Sequence, residues 1–250
     1  CLLCGAGWYQ AQSGTLACDA CPVGLHCNGT GLGSPSGHCD AGSFSGGGAS
    51  SSACTRCPAG RHCNETGLGA PSGECGVGTY SSGGAASSEC TACPAGMHCN
   101  ATGLGAASGV CSAGTYSSGG AASSACTACP AGMYCEGVGL SAPSGACEAG
   151  RYNPLTGAAS RDACRLCAAG QYQNLTGQTS CVACGAGTYC AGSGSTAETP
   201  CRAGTYNDAP SAAACLLCGA GWYQARSGTL ACDACPVGLH CNGTGLGSPS

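Results

Sequence analysis

Residues 93–129 read CPAGMHCNATGLGAASGVCSAGTYSSGGAASSACTAC, and their cysteine spacing sets the architecture. Counted from Cys90, the gaps to Cys93, Cys99, Cys111 and Cys126 are 3, 6, 12 and 15 residues, and the same gaps run from Cys18 to Cys54 and from Cys54 to Cys90. From Cys126 to Cys164 the last gap grows to 17, and from Cys181 to Cys215 the gaps are 3, 6, 11 and 14. Abbreviated units with gaps of 3 and 14 start at Cys1, Cys164 and Cys215. A fixed internal period is the mark of a repeat architecture, in which each unit buries its surface only against its neighbours.

The units predicted are a short repeat at 1–17, full repeats at 18–53, 54–89, 90–125 and 126–163, a short repeat at 164–180 and a full repeat at 181–214. A short repeat at 215–231 and a partial one at 232–250 then begin a second round. Residues 215–250 reproduce residues 1–36 with one change, Gln12 against Arg226, so the array itself repeats every 214 residues. The sequence breaks off in mid-unit and opens on Cys1 without Met, which is expected of a processed product or of an excerpt from a chain that runs on.

Composition says what can hold such a chain together. Leu, Val and Phe supply 23 of 250 residues and Ile none, too few for a sizeable apolar core. Cysteine supplies 29, above the density that marks a disulfide scaffold, and disulfides persist in oxidising compartments, so an extracellular, secreted or cell-surface setting is expected. Asn-x-Thr sequons at Asn28, Asn64, Asn100, Asn174 and Asn242 agree with that route and are expected to carry N-linked glycans. Asn28, Asn64 and Asn100 are one unit apart and each follows a cysteine; Asn174 lies elsewhere in its unit. A net charge of −4 offers no basic patch for nucleic acid, and no run of about 20 apolar residues exists to cross a membrane.

One phrase recurs fourteen times: Cys, any residue, Ala or Val, Gly, any residue, then a ring. The rings are Tyr9, His26, Phe44, His62, Tyr80, His98, Tyr116, Tyr134, Tyr152, Tyr172, Tyr189, Tyr206, Tyr223 and His240. Glycine permits a sharp turn, and the ring that follows on a short extended piece is placed to cover a disulfide, since sulfur and aromatic edges attract. Tyr134 and Tyr189 replace His at equivalent positions, so the histidines read as packing rings and neither catalytic nor metal-binding residues. The fold expected is a small disulfide-rich one: an elongated tandem-repeat rod of short two-stranded ribbons and loops, with little regular secondary structure and no long helix.

Sequence alone does not fix the connectivity, but the repeats narrow it. The short units contain two cysteines per repeat, which favours closing each loop on itself: Cys4 with Cys18, Cys167 with Cys181, Cys218 with Cys232. By the same rule Cys39 pairs with Cys54, Cys75 with Cys90, Cys111 with Cys126, Cys147 with Cys164 and Cys201 with Cys215. That leaves Cys21 with Cys27, Cys57 with Cys63, Cys93 with Cys99, Cys129 with Cys135, Cys184 with Cys190 and Cys235 with Cys241. Cys1 is then expected to pair upstream.

Nine Cys-x-x-Cys pairs also invite a zinc or thioredoxin-type reading, and Cys1, Cys4, Cys18 and Cys21 have a zinc-ribbon spacing. The extra cysteines at Cys27 and Cys39, the sequons and the lack of a βαβ pattern argue for structural disulfides instead. Neither metal nor cofactor is expected. Paired carboxylates and Gly-x-Ser-x-Gly are missing, so no catalytic residue is assigned and the chain is not expected to be an enzyme.

The phrase CPAG…GTYSSGGA…CTAC, clearest from Cys93 to Cys129, resembles the ephrin-receptor-like cysteine-rich repeats, relatives of tumour-necrosis-factor-receptor modules. The resemblance implies a ladder of small disulfide-closed loops in an extracellular protein. The regular Asn and the low charge depart from a ligand-binding receptor. The function expected is therefore a structural component of an extracellular glycoprotein filament, sheath or ciliary hair of the mastigoneme type, with further copies of the chain as partners. The alternative is a ligand-binding ectodomain of a surface receptor or antigen.

Overall fold

The computed structural model describes residues 2–249. Cys1 and its expected upstream partner lie outside the described residues. Thirteen two-stranded sheets are formed, each strand two residues long. The first pairs β1 (Trp8–Tyr9) with β2 (Asp19–Ala20) and the second β3 (Leu25–His26) with β4 (Gly37–His38), both antiparallel. The longest helical piece among the described residues is a 3-10 turn over Arg161–Ala163, in the widened loop between Cys147 and Cys164.

Each of the first thirteen ring phrases opens one of these ribbons, and the fourteenth, at Cys235, opens a turn without a ribbon among the described residues; counting all fourteen as hairpins, they recur every 17 to 20 residues and a full 36-residue unit contains two. Counting from the phrase at Cys4, the first to seventh hairpins open at Cys4, Cys21, Cys39, Cys57, Cys75, Cys93 and Cys111. The eighth to fourteenth open at Cys129, Cys147, Cys167, Cys184, Cys201, Cys218 and Cys235. Two compact units hold them. One runs through Ser112 and takes in Tyr116–Thr127 and Val138–Ala142; the other comprises Ala113–Thr115, Ala128–Gly137 and Pro143 onward.

Strands this short satisfy few of their own backbone groups, and buried peptide N–H and C=O groups need partners. The next hairpin supplies them. In the first unit Gly60 N–H donates to Ser81 O (2.8 Å), Cys63 N–H to Ala85 O (2.8 Å), and Gly84 N–H returns to Cys57 O (2.7 Å). In the second unit the same three bonds recur as Gly170 to Cys190, Gln173 to Ser195 and Gly194 to Cys167, at 2.9, 3.0 and 2.8 Å.

Fourteen disulfides are formed, and they are of two kinds. In six hairpins the opening cysteine joins a cysteine six residues on: Cys21–Cys27, Cys57–Cys63, Cys93–Cys99, Cys129–Cys135, Cys184–Cys190 and Cys235–Cys241. In the rest it joins one 14 to 17 residues on: Cys4–Cys18, Cys39–Cys54, Cys75–Cys90, Cys111–Cys126, Cys147–Cys164, Cys167–Cys181, Cys201–Cys215 and Cys218–Cys232. These cystines are the core: Ala158 is the one buried apolar residue among the described residues that is not a cysteine. Leu2, Leu16 and Val237 are fully exposed.

Candidate functional site

The candidate site is the turn after each ring. Its approach is fixed by the phrase glycine. Gly60 lies at φ +78°, and a Cβ there would collide with the carbonyl oxygen of Gly103, so only glycine fits. The ring comes two residues later, at the end of the first strand. His26 is buried, the other rings of the ribbons are half-buried, and His240 is exposed. In four hairpins the ring faces a glycine across the ribbon: His26 opposite Gly37, His62 opposite Gly73, His98 opposite Gly109 and Tyr134 opposite Gly145. Nε2 of His62 would lie 2.9 Å from a Cβ on Gly73, so the imidazole occupies the space the missing side chain leaves. Nδ1 of His26, His62 and His98 is buried without a hydrogen-bond partner, in keeping with a packing role at a position Tyr also fills.

The residue after the ring is either the second cysteine of a short bridge or a polar residue, half-buried at Gln10 and buried in the others, and sequence reasoning missed the second class. Ser45, Ser81, Ser117, Asn153, Gln173, Asn207 and Gln224 are all buried. Each accepts a hydrogen bond from the backbone N–H two residues on: Ser45 from Gly47, Ser81 from Gly83 and Ser117 from Gly119 at 3.1 Å, Asn153 from Leu155 and Gln173 from Leu175 at 3.1 Å. Asn207 and Gln224 accept from Ala209 and Arg226 at 3.3 and 3.0 Å. A side-chain oxygen thus holds the turn after the ring in hairpins where no bridge cysteine follows the ring. The signal was present in sequence, as the steady Ser, Asn or Gln where the six-residue bridge is missing.

The next residue, the first of the turn, is exposed, and all five sequon asparagines stand there. Asn28, Asn64, Asn100 and Asn242 follow Cys27, Cys63, Cys99 and Cys241, and Asn174 follows Gln173, which occupies the same place in its hairpin. Asn174 is elsewhere in its cysteine unit, yet in the fold its position is the one the other four share. The backbone N–H of Asn28, Asn64 and Asn100 donates to Ser36, Ser72 and Ser108 Oγ, each at 3.3 Å, so the main chain is held while the side chain faces water. The sequon threonines Thr30, Thr66, Thr102, Thr176 and Thr244 are exposed as well. Each is followed by a glycine at φ between +65° and +71°: Gly31, Gly67, Gly103, Gly177 and Gly245. Gly31, Gly67, Gly103 and Gly177 donate back to Cys4, Cys39, Cys75 and Cys147 O, and Gly245 to Cys218 O.

Other surface features are modest. His38 is exposed, and a shallow hollow is lined by Tyr206, Gly219, Trp222, Ala231 and Cys232. No helix among the described residues is long and apolar enough to cross a membrane.

Ribbons stapled by local cystines, without an apolar core, define an extracellular-type cysteine-rich repeat domain. The chain belongs to the ephrin-receptor-like family (Tyrosine-protein kinase ephrin type A/B receptor-like), matched over residues 1–36, 156–201 and 204–248, together about half of its length. Residues 93–129, where the resemblance is clearest to the eye, fall between the matched segments, though they carry the same phrase and the same two kinds of bridge. No curated protein matches the chain. The family and the density of disulfides point to an extracellular or cell-surface location.

Proposed function

We propose that the chain is a structural element of an extracellular glycoprotein filament, sheath or ciliary hair, and that its work is mechanical. The observation that carries this reading is the sameness of the joints. Within each unit a hairpin is fastened to its successor by the same three backbone hydrogen bonds, whatever its side chains, so stiffness is distributed and no single hairpin is set apart. Exposed Ala, Gly, Ser and Thr dominate the loops, and acceptor asparagines stand at one turn position, as suits a hydrated coat. The second reading is a ligand-binding ectodomain, favoured by the receptor origin of the family's name.

Negative-stain electron microscopy of the native material separates the two. Filaments or sheets that an antibody to this sequence labels at regular intervals support the structural reading. Single unassembled molecules that a cell-surface protein captures with micromolar affinity or better would overturn it.

A further inference from the structure

We propose that N-linked sugars sit on alternate hairpins only, so that each unit has one sugared or acidic series of hairpins and one bare series. Export through a glycosylating route is shared with the reading above; assembly into a filament is not required.

Two series exist because hairpins pack on their second neighbours. In the first unit a Cβ on Gly24 of the second hairpin would strike the Gly67 carbonyl of the fourth, and Gly60 meets Gly103 of the sixth in the same way. In the second unit Gly132 of the eighth hairpin meets Gly177 of the tenth, Gly170 meets Ser211 of the twelfth, and Gly204 meets Gly245 of the fourteenth. Odd hairpins stack likewise: Gly7 against Gly48, Gly42 against Gly84, Gly150 against Gly194. The glycine that follows each sequon from Asn64 onward is thus itself the contact that places its hairpin in the even series.

The first turn residue sorts by series. Every even hairpin has Asn, Glu or Asp there: Asn28, Asn64, Asn100, Asn174 and Asn242, with Glu136 and Asp208 in the other two. Odd hairpins have Gly46, Ser82, Ser118 and Pro154 in four cases and Ala11, Ala191 and Ala225 in three. Copying of repeats alone does not account for this. Up to the eighth hairpin the short bridge and the Asn or Glu occur together, but the single hairpin opened by Cys167 shifts the order of bridges. Within it Asn174 follows a non-cysteine, and the short-bridged eleventh hairpin, which is odd, has Ala191. The Asn or acid stays with the series and leaves the bridge.

In the ninth hairpin of the bare series only the asparagine is lacking. Pro154-Leu155-Thr156-Gly157 differs from Asn174-Leu175-Thr176-Gly177 at its first residue alone, and Leu155 and Leu175 are both 59% exposed.

The test uses the whole secreted chain from a host that N-glycosylates. Sugars are removed enzymatically in heavy-oxygen water, converted sites are mapped by mass spectrometry, and hydroxyl-radical footprinting is run before and after removal. We expect conversion at Asn28, Asn64, Asn100, Asn174 and Asn242, and a gain of at least about twofold in the reactivity of Leu175 with Leu155 unchanged. P154N should add a sixth site, and A191N, which completes Asn-Gly-Ser in the eleventh hairpin, serves if P154N is not secreted. A bare Asn174 beside occupied Asn28 would tie the sugar to the short bridge and overturn the proposal. Equal gains at Leu155 and Leu175 would overturn it too. Each readout is taken on single molecules, so a failure to form filaments leaves the outcome unchanged.

Discussion

Gly60 and Gly14 have almost the same backbone, φ +78° and +83°, and opposite surroundings. A Cβ on Gly60 runs into the Gly103 carbonyl, whereas nothing lies within 4 Å of one on Gly14. Ala at either position incurs the left-handed penalty of about 1–2 kcal/mol. G60A adds a packing conflict of about 1–3 kcal/mol, because backbone on both sides of the contact is held by hydrogen bonds. Amide exchange read by mass spectrometry should therefore speed up through the fourth to sixth hairpins in G60A and only around the turn itself in G14A. Equal effects would mean that the second-neighbour contact carries no stability.

At the scale of one hairpin, each contains its own cystine, across the ribbon in the long-bridged kind and within the first arm in the short-bridged kind, and borrows hydrogen bonds from the next. Removing the Cys75–Cys90 bridge as C75A/C90A gives up a 15-residue closure, about 3 kcal/mol on the chain-entropy estimate. The ribbon of Thr79–Tyr80 with Thr91–Ala92 should open, taking with it the bonds from Gly78 to Cys99 O and from Gly103 to Cys75 O. Limited proteolysis should then cut the fifth hairpin and its flanking loops and spare residues 143–249; cleavage throughout would show long-range cooperativity. Ribbons, local loops and the absence of long helix were legible in sequence because cysteine spacing and glycine placement act over a few residues. The hairpin period was not, because the unit was counted from one six-residue bridge to the next. Ser45 or Gln173 stands where the second bridge cysteine stands in its neighbour, and so marks a further hairpin that has no six-residue bridge. Asn174 lies elsewhere in its cysteine unit, and the turn position it shares with the other four shows only when Gln173 is aligned with Cys27.

For the molecule as a whole, the buried interior is sulfur, and the large aliphatic side chains are outside it. Ordering each residue costs about 1–2 kcal/mol of backbone entropy, which exposed Leu and Val cannot offset. Full reduction at neutral pH should make both units protease-sensitive together and should remove the slow-exchanging amides. Compact, resistant material in excess reductant would mean that backbone hydrogen bonds alone hold the hairpins.

The stacking of second neighbours also constrains how such a gene can grow. Repeats lengthen and shorten by unequal crossover, and the chain contains single-hairpin segments, such as residues 164–180, beside two-hairpin ones. Loss of one hairpin would exchange the two series downstream, moving every later acceptor asparagine from the even series to the odd. The 214-residue repeat contains twelve ring phrases, an even number that includes its two lone hairpins, so recombination between whole copies keeps the series in register. Length variants of this gene should accordingly differ by pairs of hairpins.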